Sequence, residues 1–166
     1  MTSRPKIKIR PTASDIILEI LAFLSLAAVW SLIIIYYPKL PETIPTHYNA
    51  SGVIDGYGSK ESLLSLPKLA TFFFILMTVL NFFPHIFNYG TAKITEENAL
   101  AQYTIATRML RWLKLALVVI FGLMELMTIL NVYGKASGLG AWFMPVTLIL
   151  LFAPLVYFGI KSFSAR

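Results

Sequence analysis

Cysteine is absent from the 166-residue chain. That removes disulfides and thiolate metal ligands, and with them any reading of the redox compartment. Charge is scarce as well. Only 13% of residues are Asp, Glu, Lys or Arg, whereas 57% are hydrophobic. A water-soluble domain is about a quarter charged and half apolar, so the composition points to a membrane. Acidic residues are the rarer sign, and the formal net charge is +6. Beside long apolar runs, that excess reads as a topology signal rather than as a nucleic-acid surface. Also missing are a Gly-rich phosphate loop, a paired-His zinc helix and a Gly-x-Ser-x-Gly elbow. The sequence therefore gives no catalytic residues, no cofactor, no metal ligand set and no nucleic-acid partner.

What is present is a set of four apolar segments, over residues 16–37, 69–87, 109–133 and 142–160. Each approaches the roughly 20 residues with which a helix crosses about 30 Å of hydrocarbon. Lipid leaves backbone polar groups unsatisfied, so each segment is predicted to be helical. The expected fold is an all-α integral membrane protein. A basic tail over residues 1–15 precedes a four-helix transmembrane domain over residues 16–166. The first segment follows Arg4, Lys6, Lys8 and Arg10, as a signal peptide would. Its apolar run is long and no small-x-small cleavage site follows, so it is read as a retained span. Ten of the 14 Lys and Arg fall on the side of the termini: the four in the tail, then Lys93, Arg108, Arg111, Lys114, Lys161 and Arg166. Lys39, Lys60, Lys68 and Lys135 fall on the other side. This asymmetry predicts that both termini are cytoplasmic. Thr95 precedes Glu96 and Glu97, which resembles an N-cap with acidic first-turn residues, so the third helix is expected to begin near Glu96.

The loop between the first two spans carries the stretch "LPETIPTHYNASGVIDGYGSK", residues 40–60. Pro41 and Pro45 favour extended geometry before them. "THY" and "GVI" read as short strands around an "NASG" turn, and "DGYGSK" as a further turn. Ser59 or Ser62 is expected to cap a helix entering the membrane near Leu63. The result is a small irregular or hairpin-like extracellular cap. His47, Asn49, Asp55 and Lys60 are its candidates for binding a ligand, a peptide or a metal. The competing reading is that the Asx residues satisfy turn backbones. His47 stands out because no turn requires it, yet one His and one Asp fall short of the three protein ligands of a typical catalytic zinc.

Glu125 lies well inside the third apolar segment. A bare carboxylate is costly there, so it reads either as a proton, ion or ligand site, or as a clamp to a polar group on a neighbouring span. Glu19 and His85, near the inner ends of the first two spans, are expected to meet Arg108, Arg111 or Lys114 at the interface.

The order Leu-Pro, Ile-Pro-x-His, aromatic, Asn, then Gly, Asp, Gly and Lys resembles the signature of the domain-of-unknown-function 1648 family. Pro45, His47, Tyr48, Asn49, Gly52, Asp55, Gly58 and Lys60 are the positions that carry the likeness. The resemblance implies a multi-pass protein of the bacterial cytoplasmic membrane. Its best-known relatives are immunity proteins against a sporulation-delaying peptide toxin, which also signal to a soluble repressor. It therefore implies a non-catalytic protein with the bilayer as partner, together with an extracellular peptide or another membrane protein, as a monomer or oligomer. Those relatives share a later region with Arg-Thr and Trp-x-x-x-His patterns, which has no counterpart here. The alternative is a metal-dependent membrane enzyme, or a small transporter or channel subunit, using His47, Asp55 and Glu125.

Overall fold

The computed structural model describes residues 4–90 and 92–165. Residues 1–3 of the basic tail, and Arg166 among the terminal charges, lie outside them. Four helices dominate: α1 (Ala13–Tyr36), α2 (Ser65–Leu80), α3 (Ala99–Val132) and α4 (Phe143–Ser164). Between α1 and α2 stands a two-stranded antiparallel hairpin, β1 (Thr43–Tyr48) and β2 (Ile54–Ser59).

Local chemistry sets the helix ends. Thr12 precedes α1, and its backbone N–H donates to Asp15 Oδ2 at 2.9 Å, the return half of a capping box. A 3₁₀ turn over Lys60–Leu64 leads into α2, with Ser59 Oγ accepting from the Glu61 N–H at 3.4 Å. Hydropathy alone would carry this span to Phe87, but α2 stops at Leu80. Pro84 lacks an N–H and pushes the residue before it out of the helical region; Phe83 sits at φ −125°, ψ 52°. The third helix starts at Ala99 rather than Glu96. Asn98 Oδ1 accepts the Thr95 N–H at 2.9 Å, and the Ala99 N–H bonds the Thr95 carbonyl, so Glu96 and Glu97 sit in a turn before the helix. At about 1.5 Å per residue, the 34 residues of α3 extend about 51 Å, well beyond the hydrocarbon core. The fourth helix continues through Pro154.

α3 is the spine of the molecule, packing against α1, α2, α4 and β1. Two apolar clusters lie at the hairpin end. Ile33, Leu40, Ile44 and Leu63 join the end of α1, β1 and the approach to α2. Ile120, Leu139 and Phe143 join α3 to the start of α4, with Tyr48 of the hairpin packed on them. Away from these clusters the helices present large apolar side chains outward, among them Phe23, Ile34, Phe72, Ile149, Phe152 and Ile160. In water a surface of that kind is an association hazard. Around four helices long and apolar enough to cross a bilayer it is the lipid-facing belt.

Candidate functional site

The hairpin folds over the ends of the helices because its register is irregular. Tyr48 pairs with Ile54 and His47 with Gly56, but Thr46 is skipped between Pro45 and His47. Such a bulge re-aims successive side chains. Ile44 and Pro45 are buried, Tyr48 points into the helix cluster, and His47 points out. "DGYGS" therefore belongs to β2 and is not the turn its composition suggested. A Cβ on Gly56 would stand 2.9 Å from the His47 Cβ, and one on Gly58 would stand 3.1 Å from Thr46 Cγ2. These glycines answer a close strand approach rather than a reversal.

Most of the motif holds the hairpin in place. Asn49 Oδ1 accepts the N–H groups of Ser51 at 2.9 Å and Val53 at 3.0 Å, closing the turn. Gly52 has φ +77°, and its carbonyl accepts the Leu139 N–H at 2.7 Å. That bond docks the turn onto the loop between α3 and α4. Asn131 fixes the same loop, donating to the Gly138 carbonyl at 3.0 Å and accepting from the Gly138 N–H at 2.5 Å. The Tyr48 hydroxyl bonds Thr128 Oγ1 at 2.8 Å, and burial pushes its phenol above the ordinary value. Lys60 pairs with Glu42 at 2.7 Å and lies over the Tyr37 ring.

His47 and Asp55 are different. His47 Nδ1 lies 2.5 Å from Asp55 Oδ1, and the two side chains are 73% and 42% exposed. A pair so open contributes about 0–1 kcal/mol, so the fold has little need of it. Among the described residues no group of three His, Cys, Asp or Glu side chains converges on a common point. His47 lines a cavity of about 550 Å³ between the hairpin and the α3–α4 loop, together with Tyr48, Asn49, Met124, Leu139 and Phe143. That is the volume of an ordinary ligand site.

A second cavity, of about 300 Å³, lies beneath β1. Glu125 lines it and is 1% exposed, with neither carboxyl oxygen hydrogen-bonded among the described residues. Of the two readings open for Glu125, the clamp to a neighbouring span is not made among the described residues. Thr46, Tyr48 and Met124 border both cavities.

At the opposite end, Arg108 Nε donates to Asp15 Oδ1 at 2.9 Å, Arg111 lies 3.2 Å from Glu19, and Lys114 bonds both Glu19 and, at 2.9 Å, Thr78 Oγ1. Glu19 thus meets two of its expected partners. His85 does not join them; its ring stands edge-on to Phe83 and its carbonyl accepts from Arg4 at 3.1 Å. Asp15 was not singled out in the sequence, although Thr-x-x-Asp is a helix-start signal that marks it.

Four helices of this length and hydropathy define a multi-pass membrane protein. Its segment 24–71, from α1 through the hairpin into α2, matches the family described as Domain of unknown function (DUF1648). The resemblance carried by residues 40–60 is therefore a family match over that segment. A protein of Archaeoglobus fulgidus, described as "Uncharacterized protein", is 38% identical over an alignment of 65 residues that covers 37% of this chain and 36% of the relative. The match thus spans about a third of that relative's length. No solved structure matches.

Proposed function

We propose that this is a non-catalytic recognition protein of a prokaryotic cytoplasmic membrane, with both termini inside and the hairpin outside. The hairpin cavity receives an extracellular peptide, and immunity to that peptide, or sensing of it, is the outcome. The observation that carries this reading is the His47–Asp55 pair. It stands at the edge of a ligand-sized cavity and is nearly dispensable to the fold. The Lys and Arg asymmetry supports the orientation, and the family match covers the hairpin.

A photoreactive side chain at Ala141, which lines the cavity, tests it. Cells expressing the protein are exposed to peptides secreted by neighbouring strains, irradiated, and the adducts sized. The expected result is a peptide adduct lost in His47→Ala and Asp55→Asn at unchanged membrane levels. An adduct indifferent to both variants, or none across the panel, refutes peptide recognition.

A further inference from the structure

The Glu125 cavity departs from the rest of the hairpin end. Its lining contains one charged side chain, Glu125, among Ile44, Leu63, Leu66 and Met124. Five hydroxyl-bearing residues share the wall, of which Tyr48 and Thr128 bond each other. A buried carboxyl group without a partner is costly in either protonation state: charged, it lacks a counter-ion, and neutral, it lacks a hydrogen bond. Along α3 toward the hairpin, Thr128 is bonded to Tyr48, and Asn131 is committed to Gly138 and the Met127 carbonyl. The five charged groups of the opposite end, Asp15, Glu19, Arg108, Arg111 and Lys114, bond among themselves. Among the described residues, then, this protein supplies no cation to Glu125.

We propose that the cavity beneath the hairpin is a binding site for a primary alkylammonium group, with Glu125 as its counter-ion. An ammonium is compact and carries three donors. One carboxylate and a ring of hydroxyl oxygens match it, while the Leu and Met lining takes the alkyl stem. The volume, about 300 Å³, suits a group the size of a side chain and not a whole peptide. Thr46, Tyr48 and Met124 line both cavities, so an amine held below and a ligand held above would touch the same three residues. The inference rests on the recognition reading only for the origin of the amine; the amine site itself stands apart from His47 and Asp55.

The test uses the full chain in lipid nanodiscs with ¹³C-methyl methionine. Met124 borders both cavities, so its methyl resonance reports occupancy. The probes are n-butylammonium, n-butanol and a capped Gly-Gly-Lys-Gly-Gly peptide. We expect saturable shifts with butylammonium that Glu125→Gln weakens at least about tenfold, as for a lost charge-assisted bond. Butanol should not distinguish the two proteins, and His47→Ala should leave butylammonium binding intact. Saturation by the lysine peptide, abolished on Nε-acetylation, assigns the amine to a peptide; saturation by butylammonium alone assigns it to a free amine. Equal binding of butanol and butylammonium, or undiminished amine binding in a folded Glu125→Gln protein, overturns the site. A failed amine titration beside a His47-dependent peptide adduct would refute this site and leave the recognition reading standing.

Discussion

Replacing Gly52 by alanine tests whether the hairpin is a docked roof or a loose loop. At φ +77° an L-residue pays about 1 kcal/mol relative to glycine. The new Cβ would also lie 3.0 Å from the Gly140 carbonyl oxygen, a backbone atom with no rotamer by which to move aside. The relief is to lift the turn, which breaks the bond from the Leu139 N–H to the Gly52 carbonyl at a net cost of about 1 kcal/mol. Gly134 is the control. It has φ +67° but nothing within 4 Å of its virtual Cβ, so alanine there pays the conformational cost alone. The expected destabilisations are about 2 kcal/mol for Gly52→Ala and about 1 kcal/mol for Gly134→Ala. Hydrogen exchange at the Leu139 amide separates the two. In Gly52→Ala it should accelerate about 30-fold, the equivalent of about 2 kcal/mol. In Gly134→Ala it should change much less. Equal protection of Leu139 in Gly52→Ala and the parent would refute the docked hairpin.

Three further outcomes follow from the same geometry. Because burial raises the Tyr48 phenol, the folded state holds that proton to higher pH than the unfolded chain does. Its contribution is complete below about pH 10 and is lost as pH rises through the folded value. Thermal unfolding between about pH 8 and 11 should therefore show a smaller alkaline loss in Tyr48→Phe, after an initial cost of about 1 kcal/mol for the Thr128 bond. Glu19→Gln leaves the fully buried Lys114 with Thr78 as its remaining polar partner. It should cost about 3 kcal/mol in unfolding measurements, and Glu19→Gln with Lys114→Met should recover most of that. A single cysteine at the exposed Ser51, in a chain with no other, should react in intact cells with a thiol reagent that cannot cross the bilayer. Reaction only after lysis would reverse the proposed orientation.

The helices were legible in the sequence because lipid-length apolar runs have few alternatives. The hairpin was legible at its turn, where Asn49 and Gly52 do the jobs their residue types suggest. Gly56 and Gly58 misled because glycine serves close approach as well as reversal, and only the facing His47 and Thr46 show which applies. The cavities were not legible at all. Glu125 could be marked as anomalous, but its surroundings come from β1, the start of α2 and α3, brought together by packing. The ion-pair cluster was legible in part: Glu19 was expected beside Arg108, Arg111 or Lys114 and meets two of them, whereas Asp15 went unmarked until α1 packed on α3.

That cluster also imposes a schedule on biogenesis. Asp15 and Arg108 are 93 positions apart, and Glu19 and Lys114 are 95 apart. At ribosomal rates of about 5–20 residues per second, α1 is made about 5–20 s before the cations that neutralise it. Through that interval two carboxylates at its end await partners, while the hairpin and α2 are already being synthesised. The newborn chain must therefore keep the start of α1 near water, or in the care of the insertion machinery, until α3 arrives to complete the bundle.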